Sequence, residues 1–106
     1  MVAVAAVNQA AGVSEFASGK FTSDGTVATV TVGFLARYVT VYNETDVISW
    51  EKYEGQASTA SHKTIAAGTK TADATSAIVI NTDNKTLTFS TGLCGTGKVI
   101  YWQAYS

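Results

Sequence analysis

The residues most able to do chemistry are few. His62 is the only histidine and Cys94 the only cysteine. A Cys–His nucleophilic pair needs a third group to orient the base and a cleft to hold substrate. His62 lies in a polar stretch and Cys94 in a glycine-rich one, so they read as an exposed imidazole and a small packed thiol. One His and one Cys also fall short of the three or four ligands of a zinc site. Gly92-Leu93-Cys94-Gly95-Thr96-Gly97-Lys98 has the spacing of a phosphate-binding loop. Such a loop continues with Ser or Thr for magnesium and then a helix. Val99 stands there instead, and only eight residues follow Lys98, so the glycines read as turn formers.

The eight carboxylates are Glu15, Asp24, Glu44, Asp46, Glu51, Glu54, Asp73 and Asp83. A glycosidase needs two of them facing one sugar across a cleft. Most fall in turn-like segments, where Asp makes local hydrogen bonds. The D-x-D-x-D-G pattern of a calcium loop is absent. Asn43-Glu44-Thr45 and Asn84-Lys85-Thr86 fit the glycosylation acceptor pattern but, with no secretory signal before them, mark two turns. The sequence therefore predicts no enzyme, with no catalytic, cofactor-binding or metal-binding residues. The aromatics Trp50, Tyr53, Tyr101, Trp102, Tyr105, Tyr38 and Tyr42 remain. They read as core on one face and interface on the other, with Tyr53 or Tyr105 at the interface. A sugar-binding platform would instead expose Trp50 or Trp102.

The elements that must position these residues follow from length and pattern. A chain of 106 residues suits one domain and one core. Seven Lys or Arg stand against eight Asp or Glu, with no two basic residues adjacent. That balance argues against nucleic acid and against an anionic membrane surface. No apolar run reaches the length of a membrane helix. The single cysteine rules out an internal disulfide. The N-terminal Met1-Val2-Ala3-Val4-Ala5-Ala6-Val7 lacks a basic leader region and reads as mature sequence made in a cytoplasm.

Residues 1–20 read as an extended arm, with Val13, Phe16 and Ala17 spaced for one helical turn. Residues 21–106 read as a β domain. Alternation marks strands over 26–32, 37–42 and 47–53, the last two joined as a hairpin by Asn43-Glu44-Thr45-Asp46. Residues 54–77 carry one large apolar side chain, Ile65, and predict either a weak edge strand at 63–66 or an exposed contact loop. Strands follow at 78–80, 86–89 and 98–105, the last with aromatics on both faces and so central or at an interface. Six to eight short strands without a helix predict an all-β, single-domain antiparallel sandwich or barrel, a jelly roll among the options. No proline protects the strand edges, which favours pairing with another chain.

One stretch carries a family likeness. Gly33-Phe34-Leu35-Ala36-Arg37-Tyr38-Val39-Thr40-Val41-Tyr42-Asn43-Glu44-Thr45, followed by Ser49-Trp50-Glu51, resembles small virion proteins of tailed bacteriophages. Those carry a GF-x-P-R-Y-V-x-V-x-N-x-T strand, then Trp-Glu, and end in G-x-V-x-Y-W-x-A, as in Gly97-Lys98-Val99-Ile100-Tyr101-Trp102-Gln103-Ala104. Ala36 replaces the proline of the motif, and 56–77 has no counterpart. The resemblance implies a capsid decoration (cement) protein on the virion surface. Its partner would be the major capsid protein, and the chain would be a homo-oligomer, with a trimer favoured. A head fibre, neck or tail component carries the same signals, and a carbohydrate- or receptor-binding β module is the alternative of another class. The residues expected to meet a partner are Val2, Val4, Val7 and Phe16 of the arm, with Tyr53 and Tyr105.

Overall fold

Val, Thr, Ile and the aromatics favour a pleated, half-buried backbone, and here they alternate. The computed structural model describes residues 15–57, 59–81 and 85–106. Within these residues the chain forms β1 (Phe16–Asp24), β2 (Ala28–Thr31), β3 (Tyr38–Asn43), β4 (Ile48–Tyr53) and β5 (Ser61–Thr64). They are followed by β6 (Lys70–Asp73), β7 (Ile78–Asn81), β8 (Thr86–Phe89) and β9 (Thr96–Tyr105). The described residues hold no helix.

Two antiparallel sheets result, one ordered β1-β9-β3-β4-β5-β6 and the other β2-β8-β7. They pack face to face as a sandwich. The period of two decides which side chains enter the core. Val39 and Val41 of β3, Trp50 of β4, and Ile100, Trp102 and Ala104 of β9 point inward from the large sheet. Ile78, Leu87 and Phe89 meet them from the small sheet, and Phe34, Leu93 and Cys94 close the ends from the connections. The Phe21 and Phe89 rings stack across the two sheets, 6.1 Å apart and 6° from parallel. Each large apolar side chain buried in this way stabilises the fold by about 1.5–3 kcal/mol.

The hairpin expected over 37–53 is present, with Tyr38 paired to Tyr53 and Asn43 to Ile48. Its turn is held by side chains. Asn43 Oδ1 accepts the Asp46 amide at 3.0 Å, and Asn43 Nδ2 donates to Asp46 Oδ2 at 3.0 Å. The Val99 amide donates to Thr45 Oγ1 at 2.9 Å, and Lys98 Nζ meets Asp46 Oδ1 at 2.9 Å. Both pin the turn to β9. Val47 completes it at φ 57°, a left-handed conformation that a β-branched residue rarely takes.

Two expectations need correction. Phe16 and Ala17 lie in a strand and not in a helical turn. Eight pairings between β1 and β9 outweigh a weak helical spacing. The boundary drawn at residue 20 therefore falls inside β1, and residues 16–20 belong to the sheet. Residues 54–77 hold two strands rather than one, β5 and β6, hydrogen-bonded from Ser61–Asp73 to Thr64–Lys70. They add an outer hairpin to the large sheet and contribute nothing to the main apolar cluster, so their sequence lacks an apolar period.

Candidate functional site

The residues that leave the core from β1, β9, β3 and β4 form one outer face, and the register sorts them into rows. Phe16 pairs with Tyr105, Tyr105 with Tyr38, and Tyr38 with Tyr53. Four rings therefore stand side by side across four strands. Their centroids are 5.1 Å apart for Phe16–Tyr105, 5.8 Å for Tyr105–Tyr38 and 5.0 Å for Tyr38–Tyr53. His62 extends the row edge-on to Tyr53 at 6.1 Å. Phe16 is 55% exposed and Tyr53 45%, while Tyr38 between them is half-buried.

Two residues further along each strand the face becomes polar. Ser18, Gln103, Thr40 and Glu51 share the next row. Glu51 is its electrostatic centre. Lys70 Nζ lies 2.9 Å from its Oε1, and the Tyr38 hydroxyl donates to Oε2 at 2.8 Å. The lysine and then the phenol hold the Glu51 carboxyl below its usual range. Burial, then the Glu51 hydrogen bond and charge, push the Tyr38 phenol well above its own. The third row carries Lys20, Tyr101 and Tyr42, with the Lys20 ammonium 5.4 Å from the centre of the Tyr101 ring. The second and third rows line a shallow groove of about 640 Å³ that crosses the four strands.

Both tryptophans point the other way. Trp50 is 3% and Trp102 8% exposed, so neither indole offers a surface platform. Trp50 Nε1 donates to Asp73 Oδ2 at 3.1 Å, and Lys63 Nζ sits 5.6 Å from its ring centre. Burial works to raise the Asp73 carboxyl, but hydrogen bonds from Thr75 and Trp50 outweigh it and keep the group below its usual range. Trp102 approaches β1 closely because Gly19 has no side chain.

The other candidate chemistry is dispersed. Cys94 is enclosed in the core, and burial pushes its thiol up to about 11. His62 stands on the outer face beside Tyr53, with its Nδ1 3.4 Å from Gln56 Nε2. The two are not brought together. Lys98 of the glycine-rich segment lies in β9 and pairs with Asp46. Among the described residues no cluster of three or more His, Cys, Asp or Glu side chains could hold a metal.

Of the six residues expected at an interface, Phe16, Tyr53 and Tyr105 are brought into one row. Val2, Val4 and Val7 lie outside the described residues. Sequence reasoning missed that Tyr38 joins this row and that Tyr42 and Tyr101 line the groove. Each sits on the correct face of its strand by alternation. The missing information was the β3–β9 pairing, which joins segments some sixty residues apart and leaves no local signal. Comparison with protein-family models, with curated proteins and with solved structures returns no match.

Proposed function

We propose that this chain is a structural component of a tailed-phage particle, a decoration protein that docks on the capsid exterior as a homotrimer and stabilises it without chemistry. The observation that carries this reading is the exposed row Phe16–Tyr105–Tyr38–Tyr53 at one end of the large sheet. Protein interfaces collect such rings, because Tyr buries a large area while water or a neighbour satisfies its hydroxyl. Glu15 lies at the same end, bonded to Ser106, and the arm bearing Val2, Val4 and Val7 is proposed to meet the same partner. The likeness of residues 33–45 and 97–104 to virion proteins supports this setting, since those segments include two of the strands that carry the row. Copies repeated by symmetry multiply a modest interface through avidity. A head fibre, neck or tail component would use the row in the same way.

The test is the solution mass of the full chain, followed by co-sedimentation with undecorated heads of the source phage. A trimer that saturates heads at fixed stoichiometry, and that binds more weakly as Tyr53→Ala or Tyr105→Ala, is the expected result. A monomer that leaves heads bare overturns the capsid role.

A further inference from the structure

We propose that the groove across the outer face of the large sheet binds a neutral linear oligosaccharide, an activity separate from capsid docking. Its volume of about 640 Å³ lies inside the range of small-molecule sites, about 300–1,000 Å³. Its lining comes from β1, β9, β3 and β4. The groove therefore extends across three strand spacings, about 14 Å at ~4.8 Å each. That is an elongated trough and not a point site.

The lining has two parallel strips. Tyr42 and Tyr101 pair in register and are 40% and 39% exposed, offering ring surface with hydroxyl tips. Two residues along the strands, about 7 Å away, Thr40 and Gln103 also pair in register and offer a hydroxyl and an amide. A pyranose has the matching two sides, a C–H-rich face to lie on rings and a rim of hydroxyls to meet polar groups.

Charge selects the class of ligand. The groove lining carries one lysine and one glutamate. The Lys20 ammonium faces the Tyr101 ring, and the Glu51 carboxylate is neutralised by Lys70. A phosphate or carboxylate ligand would need an excess of cations that this lining does not have. An extended peptide is also a poor match. The backbone groups of β9, β3 and β4 are committed to ladders on both sides, so a peptide could not add as a strand over the trough.

The test is calorimetric titration of the full chain with cellohexaose, maltohexaose and N-acetylchitohexaose. At least one is expected to bind with a Kd of about 1 mM or tighter, with little change on adding salt. Tyr42→Ala and Tyr101→Ala are each expected to weaken binding about tenfold. Both side chains are exposed, so circular dichroism should show an intact sheet. Tyr105→Ala, outside the groove, should bind the sugar normally, and the two groove variants should still co-sediment with heads. No saturable binding of any of the three sugars at about 10 mM overturns the proposal. Sugar binding unchanged in both groove variants also overturns it. So does loss of head binding in those variants without any sugar binding, which would make the groove a protein-docking face.

Discussion

At Gly19 a methyl group would lie 2.7 Å from Trp102 Nε1 and 2.8 Å from two ring carbons. The indole is buried and paired across from this glycine, so it has nowhere to retreat. Gly19→Ala is expected to cost about 1–3 kcal/mol, the usual penalty of overpacking, read as a lower urea midpoint at unchanged m-value. Glu51 governs a second single-residue effect. Its carboxyl is depressed in the fold by Lys70 and Tyr38. The stability it contributes is complete above its ordinary value of 4.5 and is lost as pH falls through the lower folded value. Glu51→Gln should therefore flatten the acid limb of a stability-against-pH curve below pH ~5. It should also flatten the alkaline limb, because the same carboxylate raises the Lys70 ammonium and, after burial, the Tyr38 phenol. The burial of Trp50 and Trp102 was legible from alternation, because a period of two fixes the face once one neighbour is placed. One partner of Glu51 was not legible. Tyr38 meets it within the β3–β4 hairpin, but Lys70 reaches it only through the pairing of β5 and β6, neither of which announces its register.

Among the elements, the β3–β4 hairpin was readable in advance for a physical reason. Apolar alternation stops at four polar residues whose side chains bond their own backbone, and it then resumes. The β5–β6 hairpin was not readable, because it lies beyond the main core and needs no apolar face. What fastens the connection leading into it is a buried cation. Lys52 is 3% exposed, and its Nζ donates to the carbonyls of Ala57 at 2.8 Å and Ala60 at 2.6 Å. Burial pushes this amine below its usual range. Lys52→Met keeps the aliphatic stem but leaves both carbonyls without their donor. The expected cost is about 1–3 kcal/mol, with faster amide exchange confined to peptides covering Gln56 to Ser61 and the β3–β9 ladder still protected.

For the whole molecule, the all-β class and the sandwich were legible, since strands without helices have few ways to bury one face each. Strand order was not. β9 fits between β1 and β3, and the last strand of the chain thereby becomes an interior strand of the large sheet. This placement turns three scattered residues, Phe16, Tyr53 and Tyr105, into one surface. Removing residues 1–12 spares every strand among the described residues, the first of which starts at Phe16. The truncated chain is expected to keep its melting temperature within about 2 °C yet lose binding to heads, and unchanged affinity would show that the row acts without the arm. The Ser106 amide donates to the Glu15 carbonyl at 2.9 Å, and the Glu15 amide donates to Ser106 Oγ at 2.7 Å. Polypeptide entering at 15 and anything fused after 106 thus emerge from one pole, beside the aromatic row. The turn at Ile65 and Gly68 lies at the opposite pole, since β5 runs away from Tyr53 along β4. Under the docking role proposed above, a cargo for display belongs in that turn, whereas the same cargo fused to Ser106 would shield the aromatic row and block docking.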